Sequence, residues 1–270
     1  MAEAAGLYYE LHGAADAPLL ILSSGLGGSA AYWKPNLAAL AERFRVIAYD
    51  HRGTGRSDRT PLATLTVEDM ARDVIALMDA LGIAHAHFLG HALGGLIGMA
   101  LALAVPTRVD RLVVVNGWGR IETHTVRCLE ARLTLLRNAG ELAYVKAQPI
   151  FLFPANWLTL DAPPELLDDA AQLTHFPGSA TMEQRIAAAR AFDVLDRIGE
   201  IASPLLAYFS TDDVLVPSIA SSRIVDRLSP DNGGTEISRH WGGHACNVTD
   251  AETFNRIVPA WLAEGLLPQE

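Results

Sequence analysis

The most informative segment of the chain reads Phe88-Leu89-Gly90-His91-Ala92-Leu93-Gly94-Gly95. It ends an apolar run typical of a buried strand and begins a stretch rich in small residues, which include Gly98 and Ala100. Glycines on both sides of residue 92 permit a sharp, strained turn. The segment therefore predicts a strand, a tight turn and a helix packed closely on a sheet, with Ala92 above the sheet edge.

Similar apolar runs recur along the chain, each bounded by glycine, proline or aspartate, and they predict further buried strands. Between several of them lie segments with helical spacing, of which 67–81 is the clearest. Strands that alternate with helices predict an α/β fold with a mostly parallel, doubly wound sheet. The predicted strands are 18–23, 44–50, 85–90, 111–116, 204–210 and 235–240.

This alternation fails at about 119–192, where helical stretches follow one another and several prolines interrupt the chain. We interpret residues 1–270 as one domain that carries a helical insertion there. Open α/β folds bind ligands outside the carboxyl ends of their strands. An insertion placed over that edge is expected to act as a lid.

The segment around Ala92 resembles the nucleophile elbow of α/β-hydrolases, in which a Gly-x-Ser-x-Gly pattern places serine where this chain has alanine. Ser24-Gly25 stands after the first predicted strand, where the family usually has His-Gly, and the glycine-rich turn around it resembles the family's oxyanion loop. The resemblance implies that the backbone N–H groups of Leu26 and Leu93 point at a developing oxyanion.

An acid and a histidine follow late in the chain, in the family's order. Asp213 stands four residues before Pro217, which is the spacing of the family's acid, whereas Asp212 is interpreted as a turn aspartate that caps a helix. The motif Gly-Gly-His-Ala after the last predicted strand selects His244 among the nine histidines. The resemblance therefore implies a catalytic pair of His244 and Asp213.

Ala92 carries no hydroxyl, which limits the chemistry that this pair can support. Loss of the nucleophile in a related triad costs on the order of 10⁶ in turnover, so an acyl-enzyme at residue 92 is excluded. A water molecule can take the place of the hydroxyl. His244 would deprotonate this water while the backbone donors stabilise the addition product.

Composition narrows the class of ligand and location. A formal net charge of −10 disfavours nucleic acid and anionic membranes as partners, so a small-molecule substrate is expected. Cys128 and Cys246 are expected to be thiols of a cytoplasmic enzyme, because no secretory signal or membrane-length apolar run is present. No His, Cys or Asp grouping has metal-ligand spacing, so neither a metal nor a cofactor is expected.

A closer resemblance covers nearly the whole chain. The elbow Gly-His-Ala-Leu-Gly and the segments 115–118, 148–157 and 242–250 resemble the RutD family of α/β-hydrolases, which belongs to the Rut pathway of pyrimidine (uracil) catabolism and normally has alanine at the elbow. The resemblance implies hydrolysis of 3-aminoacrylate to malonic semialdehyde and ammonia, or of carbamate to carbon dioxide and ammonia. Both compounds decay spontaneously in water, which agrees with a dyad that lacks a covalent nucleophile.

Both substrates are small anions, so an arginine near the start of the insertion is expected to bind a carboxylate. Arg120 is selected for the pocket, while Arg127, Arg132 and Arg137 are also available. Aromatic residues are expected as further pocket walls. The predicted pocket consists of Ser24, His91, Trp118, Arg120 and Trp157.

Three other functions stay open at this point. A serine esterase or carbon–carbon bond hydrolase with serine replaced by alanine at position 92 would show the same motifs. A non-catalytic protein that binds a small molecule would keep the pocket, and a cofactor-free oxygenase would use the same histidine–aspartate pair. An apolar lid is also compatible with a homodimer.

Overall fold

The computed structural model describes residues 2–60, 63–229, 232 and 234–267. In this part of the chain, eight strands form one sheet: β1 (Ala2–Ala4), β2 (Leu7–His12), β3 (Leu19–Ser23), β4 (Arg45–Tyr49), β5 (Ala86–His91), β6 (Val109–Val115), β7 (Leu205–Ser210) and β8 (Thr235–Arg239). Their order is β1-β2-β4-β3-β5-β6-β7-β8. At one edge the β1–β2 and β2–β4 pairs are antiparallel. All the other neighbouring strands in this order, from β4 to β8, pair parallel.

The prediction of an α/β fold with a mostly parallel sheet is confirmed. Each of the six predicted strands lies within two residues of an observed one. Sequence reasoning missed β1 and β2. The first has three residues, and Leu7 alone is buried in the second, so neither produces a clear apolar run.

Helices cover both faces of the sheet. Leu112 and Val114 of β6 pack into one apolar core, while Val113 and Val115 pack into the other, as the two-residue period of a strand buried on both faces requires. None of the described helices is both long and apolar enough to cross a membrane. The helices outside the insertion are α1 (Lys34–Ala41), α2 (Val67–Ala80), α3 (Leu93–Ala104), α8 (Ser218–Asp226), α9 (Cys246–Thr249) and α10 (Ala251–Glu264).

The segment at 119–192 is helical and has a small apolar core of its own. Its two ends meet, since the Val194 N–H donates to the Gly119 carbonyl at 2.8 Å and Arg120 pairs with Asp193 as an isolated antiparallel bridge. The longest helix bends where Gly140 leaves helical geometry. The helices are α4 (Thr123–Leu152), α5 (Ala155–Leu160), α6 (Asp169–Thr174) and α7 (Ser179–Ala191).

Candidate active site

Ala92 occupies the turn between β5 and α3. Its backbone angles, φ 49° and ψ −114°, lie in a region that residues with a side chain rarely adopt, and its N–H donates to the Val115 carbonyl at 2.8 Å. A methyl group on Gly90 would lie 2.2 Å from the Gly94 carbonyl oxygen, and one on Gly94 would lie 2.1 Å from the Ser23 carbonyl oxygen. Both glycines are therefore required by close backbone approach, and they hold Ala92 at the edge of the sheet.

The loop after β3 lies beside this turn. A methyl group on Gly25 would lie 3.6 Å from the Ala92 Cβ and 3.1 Å from His91 Nδ1. Within the described part of the chain, no hydrogen-bond acceptor is found for the N–H of Leu26 or of Leu93. Both donors are thus available, which an oxyanion site requires.

Arg185 of α7 holds this loop in place. Its guanidinium is fully buried and donates to the carbonyl oxygens of Leu26 at 2.8 Å and Arg52 at 2.9 Å. Burial lowers the pKa of Arg185 to about 10. Sequence reasoning missed this residue, because nothing in the pattern of α7 distinguishes an inward arginine from a solvated one.

His244 and Asp213 come together from the loops that follow β8 and β7. His244 Nδ1 lies 2.8 Å from Asp213 Oδ2, and both side chains are almost fully buried. The other oxygen of Asp213 accepts hydrogen bonds from the N–H groups of Leu215 and Val216 at 2.8 and 2.9 Å. These contacts fix the carboxylate, so His244 donates from Nδ1 and keeps Nε2 as the basic nitrogen.

The prediction that Asp212 caps a helix was wrong. Its Oδ1 accepts hydrogen bonds from the Gly243 N–H at 2.8 Å and from Ser210 Oγ at 2.7 Å. The carboxylate thereby ties the loop that carries His244 to the end of β7. This arrangement arises because two distant loops meet at the carboxyl edge of the sheet, which the local sequence does not reveal.

Asn116 is a second positioning residue that the predicted site omitted. Its Nδ2 donates to the His244 carbonyl at 2.6 Å, and its Oδ1 accepts from the Ser210 N–H at 3.2 Å. His91 Nε2 donates to the same His244 carbonyl at 2.8 Å. The main chain of His244 is therefore held by two side chains. The signal for Asn116 was its place as the last residue of a predicted buried strand, at the edge where α/β sites form.

His91 is a neutral residue of the site. It is 3% exposed and stacks on Tyr32 with ring centroids 4.7 Å apart. Burial, together with the nearby His244, holds the pKa of His91 well below 6.5. Because Nε2 must carry the proton that it donates to a carbonyl, Nδ1 is an acceptor, and it has no partner among the described residues.

The other predicted pocket residues fall into two groups. Ser24 and Trp118 are buried, and Ser24 Oγ and Trp118 Nε1 have no hydrogen-bond partner among the described residues. Buried polar atoms of this kind are uncommon in native proteins and are available to a polar ligand. Trp157 instead stacks on Phe153 at 5.0 Å and packs with Ala245, next to His244.

Arg120 is already engaged with two carboxylates. Its guanidinium pairs with Asp193 at 2.6 Å and Asp196 at 2.8 Å, and its side chain is 45% exposed. Arg137 is similarly exposed and pairs with Glu183 at 2.6 Å. Because Asp193 and Asp196 neutralise the charge of Arg120, the reason for placing Arg120 in the pocket no longer applies.

Two buried histidines are expected to make stability depend on pH. Burial holds the pKa of His51 and of His91 well below 6.5, so below that pH the unfolded chain binds protons that the folded chain does not. The free energy of unfolding should therefore fall as the pH falls below 6.5, by up to about 1.4 kcal/mol per pH unit for each histidine. Urea unfolding between pH 7.5 and 5.5 measures this slope. The variant His91→Gln should reduce it, and an unchanged slope would contradict the assignment.

Comparison with known proteins agrees with this architecture. Residues 18–245 match the family described as alpha/beta hydrolase fold, which defines the class of protein. Among solved structures, the enol-lactonase from Burkholderia xenovorans has a TM-score of 0.86 at 28% identity and covers 96% of each chain. A hydrolase from Pseudomonas aeruginosa has a TM-score of 0.82 at 30% identity, with 92% of this chain and 91% of that chain covered.

More similar sequences place the chain within that class. A protein named "Putative carbamate hydrolase RutD" from Variovorax paradoxus is 48% identical over 266 residues, 97% of this chain and 98% of the relative. A protein of the same name from Agrobacterium fabrum is 44% identical over 259 residues, 95% of this chain and 98% of the relative. The chain belongs to the RutD family, and the resemblance predicted from its motifs is confirmed.

Proposed function

We propose that this chain is a hydrolase of pyrimidine degradation that accelerates the breakdown of carbamate or 3-aminoacrylate by water that a His244–Asp213 dyad activates. The observation that carries the proposal is the buried contact of 2.8 Å between His244 Nδ1 and Asp213 Oδ2, next to a turn that carries alanine. This contact leaves Nε2 as a base. Carbamate is the substrate in the names of the relatives, which supports it for this chain.

For carbamate, His244 Nε2 removes a proton from water and the resulting hydroxide adds to the carbamate carbon. The N–H groups of Leu26 and Leu93 stabilise the negative charge that grows on oxygen. His244 then returns the proton to nitrogen, the C–N bond breaks, and ammonia and bicarbonate leave. Bicarbonate is in equilibrium with carbon dioxide, so atoms and charge balance.

For 3-aminoacrylate, the same water adds to C3 of the imine tautomer. His244 carries the proton from water to the nitrogen, which gives a carbinolamine with a hydroxyl and an amino group on C3. The hydroxyl proton is then transferred through His244 to the amino group, the C3–N bond breaks, and ammonia and malonic semialdehyde leave. No bond to residue 92 forms in either reaction, so an alanine at that position is compatible with both. We also propose that the insertion acts as a lid and that the enzyme works in the cytoplasm, which two free thiols favour.

The experiment that tests this function follows ammonia release from freshly prepared carbamate and from freshly generated 3-aminoacrylate, with and without the protein. Acceleration of one reaction above the spontaneous rate supports the function and identifies the substrate. Equal rates with and without protein for both compounds would refute it.

The variant Ala92→Ser distinguishes the proposed function from ester hydrolysis. Ester hydrolysis is the second candidate, which the structural similarity to an enol-lactonase favours. We expect Ala92→Ser to leave ammonia release unchanged or lower, because the new hydroxyl takes the place of the reacting water. Hydrolysis of p-nitrophenyl acetate and labelling by a phosphonate probe are the second readout. If the variant gains both, the chain is a serine hydrolase with its nucleophile replaced.

A further inference from the structure

Arg132 of α4 is a buried cation without an acidic partner. It is 3% exposed, and its guanidinium donates to Tyr144 Oη at 2.6 Å and to Gln148 Oε1 at 3.4 Å. Both partners are neutral. Its Nε has no hydrogen-bond partner, and no carboxylate pairs with it, within the part of the chain that the structure describes.

These neutral contacts do not balance the charge. The guanidinium lies 4.8 Å from the ring centre of Tyr144 and 5.7 Å from that of Phe151. The attraction between a cation and such rings is smaller than the cost of removing the cation from water. Arg185 is also buried and its Nε also has no hydrogen-bond partner among the described residues, but main-chain carbonyl oxygens accept from both of its terminal nitrogens. The charge of Arg132 is therefore not neutralised, and its Nε–H is an unused donor that an anion can occupy.

Two series of contacts connect the surroundings of Arg132 to the loops that carry the dyad. Cys128 lies one helical turn before Arg132 on the same face of α4, and its Sγ is 3.5 Å from the carbonyl oxygen of Val214, the residue after Asp213. Independently, Phe151 lies under the guanidinium, and the next residue, Leu152, accepts a hydrogen bond from the Ala245 N–H at 3.0 Å.

The oxyanion loop reaches the same region. Leu26 packs against the apolar core of the insertion, which contains Leu129, Leu133 and Tyr144 around Arg132. The dyad, the oxyanion loop and the helix that carries Arg132 thus meet at one end of the sheet.

We propose that Arg132 binds the planar CO₂⁻ group of the substrate. A guanidinium presents two parallel N–H donors that match the two oxygens of such a group. The chemistry of the ligand rests on the proposed function, since carbamate and 3-aminoacrylate both carry this group. In this role Arg132 contributes a substrate contact from a helix of the insertion. Arg120 instead pairs with Asp193 and Asp196, where the insertion leaves and rejoins the sheet.

Thermal unfolding in the presence of unreactive anions tests this proposal without turnover. Sodium acrylate represents 3-aminoacrylate, sodium bicarbonate represents carbamate, and sodium chloride at equal ionic strength controls for screening. A ligand that binds only the folded state raises Tm with its concentration. The proteins are the wild type, Arg132→Met, Arg132→Lys and the control Arg127→Met, whose arginine is exposed on the same helix.

We expect acrylate or bicarbonate to raise the Tm of the wild type and of Arg127→Met, and the anion that does so identifies the ligand. Arg132→Met should bind that anion at least about tenfold more weakly, and Arg132→Lys should lie between them because it keeps the charge without the planar fork. The ligand-free Tm of Arg132→Met should not fall, since an uncompensated buried charge has been removed.

Three results would overturn the proposal: no response of the wild type to either anion, an undiminished response of Arg132→Met, or a ligand-free Arg132→Met that unfolds at a markedly lower temperature. The last result would assign Arg132 to structure alone. Failure of the proposed function is a separate observation, because it is read from ammonia release and not from anion binding.

Discussion

Replacing His244 by alanine is expected to reduce ammonia release to the spontaneous rate. In the proposed mechanism the imidazole is the base that activates water, and its Nδ1 lies 2.8 Å from Asp213. Removal of a positioned base typically costs about 10² to 10⁴ in rate. Asp213→Asn should lower the rate as well, because an amide does not hold the imidazole in the required tautomer. The measurement is the initial rate of ammonia release with the spontaneous rate subtracted.

The matched control is His240→Ala, which makes the same substitution at an exposed histidine four residues before His244. This variant should keep the wild-type rate. A His244→Ala protein that folds normally and still accelerates the reaction would exclude the dyad mechanism. In that case the site would act by binding and orienting the substrate alone.

A single methyl group at Gly94 is expected to have the largest effect on stability. The added Cβ would lie 2.1 Å from the Ser23 carbonyl oxygen and 2.7 Å from that of Ser24, and both are backbone atoms at the end of a central strand. Neither atom can move without displacing the loop that follows β3. Overpacking of this kind costs about 3 kcal/mol. Urea unfolding of Gly94→Ala measures the loss in the free energy of unfolding.

Gly27→Ala serves as the control for this experiment. A methyl group there meets no atom within 4 Å, so the substitution should leave stability unchanged or raise it slightly. If Gly94→Ala were as stable as this control, the close approach of α3 to β3 would not be a requirement of the fold.

Much of the fold could be predicted because its signals are local. Buried parallel strands leave apolar runs, and α2 begins with a capping box in which Thr66 and Asp69 exchange hydrogen bonds. Strands β1 and β2 escaped detection because the first has three residues and only Leu7 of the second is buried, so neither leaves an apolar run. The elbow was readable because the backbone itself excludes any residue but glycine at positions 90 and 94.

The site was less accessible to sequence reasoning. Asp213 and His244 were found by their order in the chain and by the motifs around them. The surroundings of Asp212 and Arg132 could not be predicted, because they depend on groups distant in the chain: a loop glycine pairs with the first, and no carboxylate among the described residues pairs with the second. The ion pairs of Arg120 were equally hidden, because its two aspartate partners lie more than seventy residues away along the chain.

The hydrogen bond between Gly119 and Val194 has a consequence for how such chains change over evolution. The helical segment leaves the sheet and returns to it at adjacent points, so its length and sequence are decoupled from the register of β6 and β7. The entropy lost when the two ends of an inserted segment are brought together increases only slowly with the length of the segment. The insertion can therefore change in length at this junction without disturbing the sheet, but any replacement has to keep an arginine in the place of Arg185, because that side chain donates to the Leu26 carbonyl and holds the loop after β3.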